Sequence, residues 1–492
     1  MTDSPAVSNP ETAAVLNPYV PPAISPVRSA SGRYDRSIVE GPLPAAVWKL
    51  AWPSMITNIF GGLQGIVDHV MVGHLIGYEA NAAIGVAMQI FIVAIVFISS
   101  LFAGMGVLIA RFAGAGEEER VDRTVYQALL FTLGLSFLVL APAGYLLSPW
   151  LFDLVHSTPS VRAEGLPFLR VTFLFSFGML VFFMVSAALR SVGDARTPMI
   201  LGAGMTALNI VFNVVLITGM GPFPALGTTG AAVGTVLAAG LTSMYAIFRL
   251  ARGGWLISFP RGRGLRPDWP TIRAILRFGM PMGIQGVAMN IGGVLLLMFI
   301  GSLAQSAAAQ AAYAISYTQL FSLVTWTSAA LLGAAAAVVG QNLGARRPDR
   351  ARSAVHVTAR IAMACGASIG VFFLLVPRQL LAVFGMTDPV VVELGTQLLR
   401  VLSVSGILVS VALVYTGALQ GTGDMRGPLY ISLLSQLILP LGICLFIQRT
   451  STLEPVHIWL AILAGHALRC SLSVIRFEQG KWREITVQID PY

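Results

Sequence analysis

Twelve continuous apolar segments follow one another along this chain. A helix of about 20 apolar residues crosses the roughly 30 Å hydrocarbon core of a bilayer. Only helices and closed barrels satisfy the backbone in lipid, and runs that do not alternate with polar residues favour helices. The chain is therefore predicted to be an all-α polytopic membrane protein with twelve transmembrane helices. The segments lie near 46–75, 79–113, 121–147, 161–190, 197–218, 227–251, 271–302, 306–341, 352–376, 390–420, 427–448 and 455–477.

The composition excludes most soluble classes of protein. Of 492 residues, 56% are hydrophobic and only 11% are charged, whereas soluble domains carry about 25% charged residues. The three cysteines all lie in apolar segments, without a CxxC motif or a Cys/His cluster. We therefore expect neither a disulfide framework nor a zinc site.

The arginines of the short loops predict the orientation of the chain. They lie mainly in the loops that join an even-numbered segment to the next odd-numbered one, and the longest such loop, between segments 6 and 7, is the most basic. Positively charged loops face the cytoplasm, so both termini are predicted to be cytoplasmic, in the inner (plasma) membrane. The net charge of +9 is then a consequence of topology, and nucleic-acid binding is not expected.

The chain also repeats itself at a shift of about 230 positions. The turn GDARTP at 193–198 reappears as GDMRGP at 423–428, and Gly114-Ala115 corresponds to Gly344-Ala345. Six helices followed by a related six in the same orientation form a parallel repeat, a plan of some transporters whose substrate site lies between the halves. We expect two pseudo-symmetric six-helix lobes.

The predicted division of the chain follows from these lobes. The N-lobe covers 44–252 and the C-lobe covers 271–478, with a basic cytoplasmic linker at 253–270. Residues 1–43 are rich in Pro, Ser and Ala and lack the apolar core of a cleaved signal peptide. We expect them to form a disordered cytoplasmic tail, with a short amphipathic start around 34–40, and residues 479–492 to form a cytoplasmic C-terminal tail.

Asp68 is the one carboxylate deep inside an apolar segment. A charge in hydrocarbon costs roughly 2.5–3.5 kcal/mol on insertion scales, and such residues are usually functional. Desolvation suits a buried carboxyl group to proton exchange, whereas amide and hydroxyl oxygens around it would suit Na⁺. Gln64 lies four residues earlier on the same helix face, and a helix-packing aspartate is the structural alternative.

Several motifs together resemble the multidrug and toxic-compound extrusion (MATE) family over nearly the whole chain. They are Pro53 with VDHVMVG at 67–73, the two GDxRxP turns, LN at 208–209 with Asn213, GQNLG at 340–344 and FEQGKW at 477–482. The resemblance implies an antiporter that exports organic, often cationic, compounds by alternating access in exchange for H⁺ or Na⁺. It implies no catalytic activity and no cofactor other than the coupling ion.

The resemblance also assigns roles to residues. It implies ion coupling at Asp68, in the company of Asn209, Asn213 and Thr235, with no metal other than Na⁺ at this site. Gln64 joins this set because it shares a helix face with Asp68. Bending of helix 1 in the family gives Pro53 a conformational role. The C-lobe lacks the acidic pair that some branches carry, because helix 7 has no acid and Glu393 lies near the outer end of helix 10. A second cation site is therefore not expected.

Polar and aromatic side chains at membrane depth are candidates for the substrate cavity, since aromatic rings can hold a cationic compound by their faces. Packing within the helices is the alternative for each of them. These candidates are Asn58, Gln285, Asn290, Tyr313, Tyr317 and Trp326. The partners expected are small organic substrates and the lipid bilayer, and a monomer suffices for the mechanism.

Two other functions remain open from the sequence. A flippase for a lipid-linked precursor would need several cationic residues in the cavity, and only Arg469 has some depth. An intramembrane enzyme or a receptor would leave the duplication unexplained. An enzyme would also need a second catalytic group near Asp68, and the adjacent His69 points about 100° away around the helix.

Overall fold

The structure is a computed structural model that describes residues 33–222, 224–260 and 266–485. Within these residues the regular structure is helical throughout, without a strand. We number the long helices α1 to α12 in chain order; α1 to α6 form the N-lobe and α7 to α12 the C-lobe. They are α1 Leu43–Leu75, α2 Tyr78–Ala115, α3 Glu118–Leu154, α4 Pro159–Leu174 with Phe177–Ser191, α5 Arg196–Thr218, α6 Gly227–Ala251, α7 Trp269–Gly301, α8 Ser306–Gly344, α9 Pro348–Leu375, α10 Pro389–Thr422, α11 Arg426–Thr450 and α12 Pro455–Glu478.

These helices are long enough for the predicted membrane protein. Ten of the described helices are apolar and long enough to span a bilayer, and α4, whose two parts are bent by 52°, is an eleventh. Helix α1 has 33 residues and therefore rises by about 50 Å, well beyond the roughly 30 Å of hydrocarbon. The prediction of an all-α protein with twelve transmembrane helices is confirmed.

Three of the helices contain a π-helical segment. The segments are Leu135–Leu140 in α3, Ala314–Leu320 in α8 and Leu433–Ile438 in α11. The equivalent helices of the other lobe have none among their described residues. The two lobes thus share an architecture but differ in local helix geometry, and such segments are often found at functional sites.

The repeated GDxRxP turns have the same construction in both lobes. Gly193 and Gly423 adopt φ of 104° and 95°, a left-handed conformation that glycine adopts without a steric penalty. Asp194 then accepts a hydrogen bond from the backbone N–H of Thr197, and Asp424 accepts one from that of Gly427, each at 2.9 Å. Because an aspartate side chain satisfies a free N–H at a helix start, each turn begins the next helix, α5 or α11.

The two lobes are in contact at helix crossings that contain glycine. A side chain at Gly104 of α2 would overlap the backbone of Gly279 in α7, and one at Gly344 of α8 would overlap the backbone of Arg111 in α2. The Arg111 guanidinium also donates to the carbonyl oxygen of Thr422 at 3.0 Å. The lobes are therefore in backbone contact near the helix ends that join the arginine-rich loops, which we call the arginine-rich side.

Residues 33–42, which we call the strap, connect the two lobes at this side. Arg33 donates to Asp122 of α3 at 2.8 Å, whereas Ile38, in the short helix Ser37–Glu40, is fully buried in a core cluster formed largely by C-lobe residues. The Arg347 guanidinium donates to the carbonyl oxygen of Val39 at 3.0 Å. The prediction of a disordered tail is therefore wrong for residues 33–43, because Ile38 packs in this apolar cluster and Leu43 begins α1. The predicted disorder of 1–32 lies outside the described residues.

Parts of the predicted linker and C-terminal tail are packed as well. Ile257 is fully buried, and the Ser258 hydroxyl donates to Asp122 at 2.7 Å. At the other end Trp482 is buried and stacks on Phe477, with ring centroids 5.1 Å apart. Residues 261–265 and 486–492 lie outside the described residues.

Candidate functional site

Asp68 lies in the last two turns of α1 and is 9% exposed. Its carboxylate Oδ1 accepts a hydrogen bond of 2.8 Å from Asn213 Nδ2 of α5. No lysine or arginine of the described residues forms an ion pair with it. A buried carboxylate is thus held by a neutral amide, which leaves its charge available for a small cation.

The amide of Asn213 belongs to a chain of hydrogen bonds that reaches α6. Asn213 Nδ2 donates to Asn209 Oδ1 at 3.4 Å, and Asn209 Nδ2 donates to Thr235 Oγ1 at 2.9 Å. Thr235 in turn donates to the carbonyl oxygen of Ala231 at 3.0 Å. Because Thr235 uses its proton on the backbone, each amide must direct its nitrogen toward the next acceptor, and the amide of Asn213 is fixed with its nitrogen toward Asp68.

Four of the residues that the sequence predicts for ion coupling are therefore brought together: Asp68, Asn209, Asn213 and Thr235. The spacing of the two asparagines places them on one face of α5, and both are fully buried. The Oδ1 atom of Asn213 is buried without a hydrogen-bond partner. Carboxylate and amide oxygens are ligands that hard cations such as Na⁺ prefer, and the carboxylate can also take a proton. The orphan oxygen belongs to the same amide group that bonds to Asp68, so this pair of residues fits a cation site.

Gly234 was missed by the sequence reasoning. A side chain at this position of α6 would overlap Asn213 Oδ1, so only glycine lets α6 approach α5 closely enough for Asn209 to reach Thr235. The sequence offers one signal, a glycine directly before a predicted site residue, but this signal does not reveal which atom the glycine faces.

Gln64 lies one turn before Asp68 but pairs elsewhere. Its Oε1 accepts a hydrogen bond of 3.2 Å from the Thr206 hydroxyl of α5, and no described hydrogen bond joins it to Asp68. It therefore tethers α1 to α5 beside the site. His69 is turned toward α2, where its Nδ1 contacts Asn81 Oδ1 at 2.5 Å, which confirms that it faces away from Asp68.

Asn58 and Trp326 meet at the boundary between the lobes. Asn58 Nδ2 donates to the carbonyl oxygen of Trp326 at 2.9 Å, and a side chain at Gly62 would overlap the indole ring. Both cavity candidates thus join α1 to α8. Pro53 is a buried residue inside α1, and its predicted conformational role stays a prediction.

The remaining cavity candidates lie in the C-lobe in two separate sets. Gln285 of α7 donates to the Ser432 hydroxyl at 2.7 Å, and Asn290 donates to the Gly286 carbonyl of its own helix at 2.9 Å. Tyr313 and Tyr317 of α8 stack with ring centroids 4.9 Å apart. No described contact links these sets to each other or to Asp68, so the structure does not gather all candidates into one pocket.

Comparison with known proteins identifies the family of this chain. The model of the family described as MatE matches the chain twice, at residues 53–215 and 281–445. The two matches begin at Pro53 and Pro281, in agreement with the internal repeat. Together they cover more than half of the chain.

Curated relatives match almost end to end. The "Probable multidrug resistance protein NorM" of Thermotoga maritima is 26% identical over 449 residues, which is 89% of this chain and 93% of that protein. The "Multidrug resistance protein MdtK" of Pectobacterium atrosepticum is 24% identical over 440 residues, 87% of this chain and 93% of that protein.

Solved structures show the same fold. One described as an outward-facing multidrug resistance MATE family transporter of the MOP superfamily has a TM-score of 0.83 at 21% identity and covers 91% of this chain and 98% of its own. A MOP superfamily transporter from Pyrococcus furiosus also has a TM-score of 0.83, at 22% identity over 92% of this chain and 98% of its own. Members of the matched family are transporters and not enzymes. The chain therefore belongs to the MatE family of multidrug efflux transporters.

Proposed function

We propose that this protein is a secondary antiporter that exports organic, often cationic, compounds in exchange for H⁺ or Na⁺, with the ion bound at Asp68. The observation that carries the proposal is the buried chain of hydrogen bonds from Asp68 through Asn213 and Asn209 to Thr235. It holds an ionisable group at membrane depth without a permanent counter-charge. Such a group is costly to bury and is usually functional.

Either of two ions can neutralise the charge of Asp68. A proton on the carboxyl group would remove the charge and leave the hydrogen bond from Asn213 in place through the carbonyl oxygen. A Na⁺ ion would instead use the carboxylate and the orphan Oδ1 of Asn213, since hard cations prefer oxygen ligands. Both ions are compatible with these oxygen ligands, and imposing a Na⁺ gradient and a pH gradient separately distinguishes them.

The transport cycle couples this ion to movement of the lobes. When the site faces outside, Asp68 binds the ion, α1 shifts and substrate leaves. When it faces inside, the ion departs and a substrate binds between the lobes. A ligand shifts the equilibrium between the outward-facing and inward-facing states only if it binds them with different affinities. The ion must therefore bind Asp68 more tightly in one of these states than in the other.

Location and orientation are part of the same proposal. The arginine-rich loops favour a cytoplasmic location for both termini, and the bacterial relatives favour the plasma membrane. Neither contact between lobes nor the Asp68 site requires a second subunit, and we propose a monomer without a nucleic-acid partner. A lipid-linked precursor flippase is not favoured, because the relatives found include several multidrug resistance proteins.

The test uses purified protein in proteoliposomes loaded with the cationic dye rhodamine 123. A Na⁺ gradient and a pH gradient are imposed separately on the wild type, on Asp68→Asn, and on Glu393→Gln as a control with the same change at an exposed position. We expect one gradient to drive dye movement in the wild type and the control, and not in Asp68→Asn. Full gradient-driven transport by Asp68→Asn would refute coupling at this residue.

A further inference from the structure

One face of α12 carries polar side chains that lack partners in the interior of the C-lobe. These residues are all buried and are spaced seven, three and four positions apart, which puts them on one helix face: Trp459, His466, Arg469 and Ser473. Each has a buried polar atom without a hydrogen bond among the described residues: Trp459 Nε1, His466 Nδ1, Arg469 Nε and Ser473 Oγ. Buried polar groups in proteins are normally satisfied, so four such atoms on one helix face require an explanation.

Arg469 is the most demanding of these residues. It lies nine residues before the end of α12 at Glu478, which is about 13 Å along the helix axis, and it is 9% exposed. No carboxylate of the described residues pairs with it. An uncompensated buried charge is strongly unfavourable, and a membrane-embedded arginine is by default a functional residue.

A wall of aromatic rings lies beside this arginine. Tyr313, Tyr317 and Phe321 follow one another along α8, and the rings of Tyr317 and Phe321 lie 6.5 and 5.9 Å from that of His466, within 17° of parallel. His466 precedes Arg469 by three residues on the same face of α12, so the rings that stack on His466 lie beside the arginine. A guanidinium next to near-parallel rings can bind an oxyanion while a flat ring system packs against the wall.

Two π-helical segments flank the cluster. Tyr317 lies in Ala314–Leu320 of α8, and Gln436 lies in Leu433–Ile438 of α11. The Nε2 atom of Gln436 is another buried donor without a partner, and it lies against Gly465, directly before His466. Distorted helix geometry from two sides thus accompanies unpaired donors, a combination typical of functional sites.

We propose that Arg469, Gln436 and the aromatic wall form a subsite for the oxyanion (carboxylate, sulfonate or phosphate) of an aromatic amphipathic compound. This inference rests on the proposed export function and specifies its substrates as zwitterionic or anionic as well as cationic. The guanidinium donates from its N–H groups to the oxyanion, since its fork matches a carboxylate or phosphate. The N-lobe then holds a buried carboxylate, Asp68, and the C-lobe a buried guanidinium, Arg469.

The test compares two dyes that differ only at the acid group. Rhodamine 110 has a free carboxyl group, and rhodamine 123 is its methyl ester. Binding of each is measured by fluorescence anisotropy on the purified full chain in neutral detergent. The proteins are the wild type, Arg469→Met, Arg469→Lys and, as a control, Arg400→Gln, which changes an exposed arginine of the same lobe.

We expect Arg469→Met to lower the affinity for rhodamine 110, relative to that for rhodamine 123, about ten- to hundredfold, the range for hydrogen bonds to a charged group. Arg469→Lys keeps the charge but loses the fork and should fall between, and Arg400→Gln should match the wild type. Equal changes for both dyes, or none, would overturn the subsite.

A second measurement separates recognition from a structural role. Without ligand, Arg469→Met should melt at a temperature no lower than the wild type, because replacing an unpaired buried charge by an apolar side chain is often neutral or stabilising. A clear fall in melting temperature, together with equal loss of both dyes, would show that Arg469 is structural and overturn the proposal.

A lipid phosphate offers the same chemistry as a substrate acid. Phosphatidylglycerol is therefore added to the detergent in a further arm. If it displaces rhodamine 110 from the wild type but leaves rhodamine 123 bound, the subsite is supported with a lipid headgroup as its occupant. If it displaces neither, the occupant is the substrate acid. Export of rhodamine 123 without any gradient would refute the antiporter, while the comparison of dyes in detergent still decides the subsite.

Discussion

Gly234→Ala tests whether the contact between α5 and α6 controls ion binding. The added methyl group would overlap Asn213 Oδ1, and Asn213 is fully buried, so its amide must rotate or α6 must move away. Rotation of the amide breaks the 2.8 Å hydrogen bond to Asp68, and movement of α6 breaks the 2.9 Å bond from Asn209 to Thr235 that orients the amide of Asn213. Hydrogen bonds to charged groups contribute about 1.5–3 kcal/mol, which is about a ten- to hundredfold change in the ion concentration at half-maximal export. The change is upward for Na⁺, because the displaced amide no longer offers Asn213 Oδ1 as a ligand, and downward for H⁺, because the ionised carboxylate loses a hydrogen bond that stabilises it.

The assay is initial-rate export of rhodamine 123 in proteoliposomes over a series of Na⁺ concentrations and pH values. Gly240→Ala is the matched control, because an added Cβ there meets nothing within 4 Å and the site is on the same helix. If both variants shift the ion dependence equally, or neither does, the close packing at Gly234 does not control the site and the reasoning fails.

Three further predictions concern packing, charge and buried hydrogen bonds. Gly344→Ala forces α8 away from the backbone of Arg111 and should lower the melting temperature in detergent, because overpacking costs about 1–3 kcal/mol. Gly333→Ala, which adds a methyl group in open space on the same helix, should leave the melting temperature unchanged. Burial alone would raise the pKa of Asp35, but hydrogen bonds from Lys49 and Ser37 outweigh burial and lower the pKa. Ionised Asp35 therefore stabilises the folded protein above the unfolded-state pKa of about 3.9, and this stabilisation is lost as pH falls through the folded-state pKa. Asp35→Asn should therefore melt below the wild type at pH 7, by a gap that narrows as pH falls below about 3.9. A gap that stays the same across this pH range would contradict the reasoning. Gln285→Leu removes the donor to the Ser432 hydroxyl and should lower the free energy of unfolding by about 1–3 kcal/mol. The double variant Gln285→Leu with Ser432→Ala should recover part of this loss. Equal melting temperatures of the single and double variants would contradict the assignment.

The sequence predicts the helices well because each segment must be apolar over the thickness of a membrane. The predicted limits of α6, 227–251, match the observed helix Gly227–Ala251. The convergence of Asp68 with Asn209, Asn213 and Thr235 could be expected from spacing along α5 and from the family resemblance. These signals come from one helix or from a motif, and neither needs a knowledge of distant contacts.

What the sequence does not contain is the partner of each side chain. Gln64 shares a face with Asp68 yet bonds to Thr206, since the angle between α1 and α5 decides which oxygen is in reach. Ile38 sits in a Pro- and Ser-rich region, and its burial depends on a gap between distant helices. The unpaired donors beside Arg469 are equally invisible, because a lack of partners is a property of three-dimensional packing.

The strap has a consequence for the rate of the transport cycle. Arg33 is bound to α3 of the N-lobe, and Ile38 is buried mainly among residues of the C-lobe, only five positions further along the chain. Five residues span at most about 18 Å when fully extended, so a wide separation of the lobes at this side must first release one of these two anchors. Release belongs to the activation barrier of that opening, and the two anchors together act as a latch whose strength sets the opening rate.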